Sequence, residues 1–327
     1  MEISDPQLRG LIVRLRPIAF LSTVAVSALL LAGCAGESEA APTDAPTSNA
    51  DVCEQAAAPG TVSDSVTVEG EFGTPSQASF ELKQEVPELQ RTVISEGDGD
   101  RIAEGEYVTY ALSAFDSNSG ERVGDAGYED AEMLPQDVLS NPTLAQVIGC
   151  ATVGSRLAVA FPAQNGASSE IYIVDVLDTV PPAAWGEKQD AGEGMPSVKL
   201  AENGEPDIAI PGGDAPDELK ISVLKQGDGI EVADGDTTLL HYYGVDWETG
   251  ESFDSSWSKG APIAIPGNTY VPGFVQALAG QKVGSQVLVV IPPALGYGED
   301  PEAHDLGGKT LVFVIDILAT QHAPAAQ

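Results

Sequence analysis

The sequence predicts an α+β protein with two tandem modules, each a twisted antiparallel sheet packed on one short helix, after an export leader and a disordered tether. Three observations carry this expectation. With 35 glycines and 23 prolines in 327 residues, the chain reads as many turns between short strands rather than as a helical bundle. Residues 219–224, 237–243, 286–291 and 310–318 are rich in β-branched and aromatic side chains, as strands are. Finally, four turn signals recur at a constant offset of 130: Gly97-Asp98-Gly99 with Gly227-Asp228-Gly229, Gly120-Glu121 with Gly250-Glu251, Val153-Gly154-Ser155 with Val283-Gly284-Ser285, and Pro162 with Pro292. Self-similarity at one period marks a repeated unit.

In chain order, Arg9, Arg14 and Arg16 precede an apolar run from Ile18 to about Leu31. The run is short for a membrane span and suits a signal peptide over residues 1–33. It ends in Leu31-Ala32-Gly33-Cys34, which looks like a bacterial lipobox. Such a site implies lipidation of Cys34, cleavage before it, and a protein held by its acyl chains on the extracytoplasmic face of the cell membrane. An uncleaved anchor and plain secretion are the weaker readings. Residues 34–60, rich in Ala, Pro, Thr, Ser, Glu and Asp, read as a disordered tether.

The first module is expected over 61–180, a polar linker over 181–194 and the second module over 195–320. Within the second, a short helix over 274–279 follows Pro272 and ends at Gly280, with Phe274, Ala277 and Leu278 on one face. Once Cys34 is set aside, Cys53 and Cys150 remain. In an extracytoplasmic protein such a pair reads first as a disulfide, with two buried thiols as the alternative.

Fifty acidic against 15 basic residues give a net charge of −35. A nucleic-acid partner is excluded for want of a basic footprint. His241, His304 and His322 are scattered, so neither a metal site nor a cofactor is expected. The Gly-x-Gly pairs lack the third glycine and the helix of a dinucleotide loop. Asp116-Ser117-Asn118-Ser119-Gly120 suits a hairpin turn better than a calcium loop.

Aromatic residues make up only 6% of the chain, yet Tyr242, Phe253, Phe274, Tyr297 and Phe313 cluster in the second module, each beside a glycine, a turn or a strand end. The cluster suits a rigid apolar cup with Asp254 and Tyr297 as polar handles. His241-Tyr242-Tyr243-Gly244, Phe253-Asp254-Ser255-Ser256, Val271-Pro272-Gly273-Phe274, Gly296-Tyr297-Gly298 and the closing 311–316 run resemble the FKBP-type peptidyl-prolyl cis-trans isomerases. The resemblance covers about residues 215–318. It implies a bacterial, actinobacterial-like lipoprotein with two FKBP-like domains.

By that resemblance Tyr242, Asp254 and Tyr297 would be catalytic. Phe253, Ile263, Tyr270, Val271, Phe274, Leu306 and Phe313 would bind substrate. Asp254 would hydrogen-bond Tyr242, the main-chain amide near Val271 would hold a substrate or macrolide carbonyl, and Tyr297 would donate to a substrate carbonyl. Phe274 stands where many members carry tryptophan, Leu295 replaces a frequent aromatic, and His304-Asp305-Leu306-Gly307-Gly308 replaces the usual Ile-Pro pair. These departures bear on substrate preference and macrolide affinity.

The first module supplies an internal contrast. At the same offset Leu112, Val123, Gly124 and Leu144 replace Tyr242, Phe253, Asp254 and Phe274, and the chain before the last strand is about ten residues shorter, leaving no counterpart of Tyr297. That module is expected to be a catalytically silent scaffold, spacer or peptide-binding domain. The expected function is prolyl isomerisation in unfolded or exported polypeptides, with membrane attachment through lipid and a macrolide as candidate ligand. The alternatives are a non-catalytic extracytoplasmic chaperone or peptide-binding lipoprotein, and a structural envelope protein.

Overall fold

The computed structural model describes residues 52–128, 133–139, 141–267 and 269–323. The leader, Cys34 and the tether up to residue 51 lie outside the described residues. The first half runs α1 (Val52–Gln55), α2 (Thr61–Asp64), β1 (Thr67–Glu69), β2 (Gln77–Ser79), β3 (Gln90–Ser95), β4 (Tyr107–Asp116), β5 (Arg122–Ala126), β6 (Gln136–Asp137), α3 (Pro142–Ile148), β7 (Arg156–Phe161) and β8 (Glu170–Val180). The second follows with β9 (Glu187–Lys188), β10 (Ser197–Leu200), β11 (Pro206–Ala209), β12 (Lys220–Gln226), β13 (Thr237–Asp246), β14 (Ser252–Ser255), β15 (Ile263–Pro266), α4 (Pro272–Leu278), β16 (Gln286–Ile291) and β17 (Leu311–Gln321).

Both large sheets are antiparallel. One has the order β3-β7-β8-β4-β5 with β6 on β4; the other has β14-β13-β17-β16-β12-β9 with β15 on β13. From β1 and β10 onward, the starts of corresponding elements lie 130 residues apart as far as β7 and β16, except at β2/β11 and β6/β15, where the spacing slips by one to three residues. The last strands are then 141 apart. The additional residues of the second half fall between β16 and β17, in the segment that carries Tyr297.

The repeated turn motifs are each other's partners. The Gly227 amide donates to Ser285 Oγ at 2.9 Å and the Gly97 amide to Ser155 Oγ at 3.0 Å. A Cβ at Gly227 would lie 2.2 Å from the Val283 carbonyl oxygen, and one at Gly97 2.1 Å from that of Val153. Only glycine admits that approach.

Each sheet is covered on both faces, so its central strands are largely apolar on both. On β16, Val287, Val289 and Ile291 pack toward α4 with Phe274, Ala277 and Leu278, whereas Leu288 and Val290 pack with Ile208, Met195 and Val198 of the β10–β11 hairpin and its approach. In the first half Leu157 and Val159 face α3, while Ala158 and Ala160 meet Val62, Val68 and Ala78. Pro272 begins α4 where the missing amide costs nothing. In each half a buried polar pair on the central strands holds a neighbouring segment in place. Arg156 donates to both Asp175 oxygens and to the carbonyls of Gly70 and Glu71. At the matching positions Gln286 and the Ala184 amide donate to Asp316, whose carboxyl burial pushes up.

Three expectations need correction. Residues 52–60, expected within the disordered tether, are ordered: Val52 is buried in the first core, Ala57 N–H donates to the Gln146 carbonyl at 2.9 Å, and Cys53 is bonded to Cys150. The expected Cys53–Cys150 disulfide docks them on α3, while their small-residue composition hides that order. The segment 181–194 is an edge of the second sheet rather than a free linker. β9 pairs with β12, Gly186 N–H donates to the Gly284 carbonyl, and the Ala184 carbonyl accepts from Lys225 Nζ at 2.6 Å. Backbone hydrogen bonds of this kind do not depend on apolar side chains, so composition hides them. The second helix begins at Pro272 and ends at Leu278, two residues and one residue earlier than expected. A small apolar cluster of Leu239, Leu318 and Ala319 with Tyr107, Leu134 and Val180 joins the two halves.

Candidate functional site

Five segments of the second half converge. β13 carries Tyr242, β14 carries Phe253 and Asp254, β15 carries Ile263, Tyr270 and Val271 lead into α4 with Phe274, and β17 carries Phe313. Tyr242, Phe274 and Phe313 are buried, and Phe253, Ile263, Tyr270, Val271, Tyr297 and Leu306 pack around them in one apolar cluster. The rings meet edge to face. Phe313 lies 5.3 Å from Phe253 and 5.2 Å from Phe274, at interplanar angles of 89° and 88°, and Tyr242 stands 6.4 Å from Phe274 at 88°. Such T-shaped contacts fix ring orientation beyond simple burial.

Gly244 makes the arrangement possible. It pairs with Phe313 on one side and Asp254 on the other, and a Cβ there would lie 2.7 Å from Phe253 Cζ and 2.8 Å from Phe313 Cε1. Two rings close over a backbone that has no side chain.

The polar rim is a three-residue network. Tyr242 donates its hydroxyl to Asp254 Oδ2 at 2.6 Å, while Lys259 Nζ donates to Asp254 Oδ1 at 2.6 Å and to the Tyr242 oxygen at 2.9 Å. Burial, helped by the Asp254 acceptor, pushes the Tyr242 phenol up to about 12. Burial also works to raise Asp254, but the hydrogen bonds from Lys259 and Tyr242 outweigh it and hold the carboxyl below its usual range. At neutral pH the rim therefore pairs a neutral Tyr242 phenol with an ionised Asp254 carboxylate. Tyr270 has its phenol raised by burial and then by Tyr242.

Two donors have no partner among the described residues. The Val271 carbonyl accepts from the amides of Phe274 and Val275, but its own N–H donates to nothing. The hydroxyl of Tyr297 is likewise unpaired, although its ring stacks on His304 at 4.0 Å and 7°. Behind the cup, His241 stacks on Trp257 at 3.9 Å and contacts Ser256 Oγ through Nδ1 at 2.8 Å; the same Oγ accepts from the Tyr242 amide. Burial lowers the His241 imidazole to about 4, so this brace is uncharged at neutral pH.

All ten of the predicted catalytic and substrate-binding residues belong to this one site. Cys53 and Cys150 lie apart from it, joined at 2.11 Å between α1 and the end of α3. Sequence reasoning did not name Lys259, and it gave no role to Gly244, His304 or His241, although all three stand in the segments it quoted. Only the short turn at Trp257–Lys259 brings Lys259 back over Asp254, and no spacing rule announces it. Among the described residues, no group of three or more His, Cys, Asp or Glu side chains is placed to hold a metal.

Among the described residues, the first half carries no such cup. Leu112 and Leu144 occupy the positions of Tyr242 and Phe274, Val123 is exposed, and Ala114 pairs with Tyr172 where Gly244 pairs with Phe313. Tyr172 spends its hydroxyl on Glu170 at 2.8 Å and packs on Phe161.

Comparison with known proteins agrees with this geometry. A family model described as FKBP-type peptidyl-prolyl cis-trans isomerase matches residues 229–318. The "Probable FK506-binding protein" of Corynebacterium glutamicum is 43% identical over 114 residues, which is 35% of this chain and 97% of that protein. The "FK506-binding protein" of Streptomyces anulatus is 36% identical over 118 residues, 35% of this chain and 95% of that one. FkpA of Escherichia coli, an FKBP-type peptidyl-prolyl cis-trans isomerase, is 32% identical over 108 residues, 33% of this chain but 40% of the relative. The chain belongs to the FKBP-type peptidyl-prolyl cis-trans isomerases.

Proposed function

We propose that the cup of the second half isomerises X-Pro bonds in exported polypeptides, and that a lipid on Cys34 holds the protein on the extracytoplasmic face of the membrane. In this layout the first half is a catalytically silent domain of the same descent. The observation that carries the catalytic reading is the pairing of an apolar aromatic cup with two donors, the Val271 amide and the Tyr297 hydroxyl, that have no partner among the described residues.

Rotation about a peptide bond meets a barrier of ~18–20 kcal/mol from amide resonance. No bond need break, so the reaction asks for no nucleophile. The twisted amide has lost resonance and is less polar than the planar one. An apolar cup favours it over the planar, water-solvated form, and donors on neighbouring carbonyls hold the flanking chain in place. Lowering the barrier by ~5.5 kcal/mol gives ~10⁴-fold acceleration, which desolvation with one or two oriented hydrogen bonds can supply. In this scheme Asp254, kept ionised by Lys259, fixes the Tyr242 phenol at the cup wall. The same apolar rings suit an FK506-like macrolide, a ligand class that the names of two relatives carry.

A proline-peptide isomerase assay on the full chain tests the reading. Rates that fall in Asp254→Ala and Tyr297→Phe, with folding retained, support the enzyme. Equal, negligible rates in wild type and variants would assign the cup to peptide binding alone. Metabolic labelling with a lipid precursor tests the anchor: label should vanish in Cys34→Ala, and unchanged labelling would refute it.

A further inference from the structure

We infer that His304 is a positioning residue for Tyr297, holding the phenol through its ring face and the loop behind it through its ring nitrogen. The inference rests on the reading of Tyr297 as a substrate donor.

Tyr297 lies in a segment whose backbone does little to fix it. Gly296 and Gly298 flank it, Gly298 has φ +89°, and the hydroxyl has no partner among the described residues. The following stretch carries Glu299, Asp300, Glu302 and Asp305, a run of like charges that opposes compaction. Yet the loop closes. Gly308 N–H donates to the Gly298 carbonyl at 2.7 Å and Gly307 N–H to the His304 carbonyl at 2.8 Å. The His304 side chain contacts both ends of the loop. Its ring lies parallel to that of Tyr297 at 4.0 Å and 7°, and its Nδ1 accepts from the Leu306 amide at 3.0 Å. Leu306 in turn packs into the cup. One exposed imidazole therefore couples the phenol to an apolar wall residue nine positions away. A flat stack restricts the tilt of the Tyr297 ring, and that tilt sets where the hydroxyl points.

Three full-length variants separate the two contacts. His304→Ala removes both, His304→Phe keeps a ring for stacking, and His304→Asn keeps an acceptor for Leu306 N–H. His304→Ala should lower kcat/KM for a proline peptide about three- to tenfold, the scale of one misdirected hydrogen bond. Added to Tyr297→Phe it should cost less than about twofold more, because the two changes remove the same interaction. His304→Phe should recover most of the rate, and His304→Asn little of it.

Fluorotyrosine labelling gives a readout that does not depend on activity. The Tyr297 ¹⁹F resonance, assigned by its loss in Tyr297→Phe, should shift in His304→Ala and return in His304→Phe. An unmoved resonance, or fully additive losses, would overturn the inference. A wild type without isomerase activity would instead refute the functional reading, and the resonance would still decide whether His304 positions Tyr297.

Discussion

The Tyr242 hydroxyl donates to Asp254 at 2.6 Å, and both partners are missing from the equivalent places in the first half, where Leu112 and Gly124 stand. Two copies of one topology therefore differ at the pair that furnishes the polar rim. The shared scaffold, down to the Gly-Asp-Gly and Val-Gly-Ser partnership, shows that the fold needs neither residue. What the pair adds is a fixed phenol at the wall of an apolar cup.

Removing either partner should affect rate more than stability. Tyr242→Phe leaves the Lys259–Asp254 ion pair in place and should reduce kcat/KM about three- to tenfold, the worth of one neutral hydrogen bond. Asp254→Ala also strands Lys259 and should cost more. Thermal unfolding run beside the peptide assay checks that both variants remain folded.

Gly244→Ala should collapse the cup. The added methyl would lie within 3 Å of both Phe253 and Phe313, and overpacking of this kind costs about 1–3 kcal/mol. A lowered denaturation midpoint together with loss of peptide turnover is expected. A variant as stable and active as wild type would mean that the rings do not close over Gly244.

Much of this site was legible before the structure, and the reason is local. Strand runs such as Gln286–Ile291 are buried on both faces and read as continuous apolar stretches, and the 130-residue offset aligned the two halves. Tyr242, Phe253, Phe274 and Phe313 announce themselves because large aromatics are scarce in this chain. Lys259 and His304 were not legible. A lysine on a turn and a histidine in an acidic loop acquire their roles only when the backbone folds them onto Asp254 and Tyr297. The β1–β2 and β10–β11 hairpins were missed for another reason: their strands are three or four residues long, too short for alternation to register.

Stability should fall on mild acidification through His241. The residue is only 6% exposed, and burial depresses its imidazole to about 4, whereas an unfolded histidine titrates near about 6.5. Between those values the unfolded chain takes up a proton that the folded one refuses. The stabilisation is therefore complete above about 6.5 and is lost progressively as pH falls toward 4, by at most about 3 kcal/mol. Denaturant unfolding at pH 7 and pH 4.5 should show a larger drop for wild type than for His241→Asn. Equal drops would show that His241 titrates normally in the fold.

The Cys53–Cys150 bond spans 97 residues of sequence and should stabilise the first half without touching the cup. Replacing both cysteines with alanine should cost about 2–5 kcal/mol, read as an earlier unfolding transition, with the isomerase rate of the folded protein unchanged. A fall in rate at temperatures where the protein remains folded would tie the first half to catalysis.

The central claim is that prolyl isomerisation belongs to the second half alone. The most direct measurement is kcat/KM for a proline peptide with the full chain and with the double variant Tyr242→Leu/Asp254→Gly, which installs the first half's residues in the second. The account predicts clear acceleration by the wild type and a rate near the uncatalysed one for a folded double variant. A double variant that keeps the wild-type rate would contradict it.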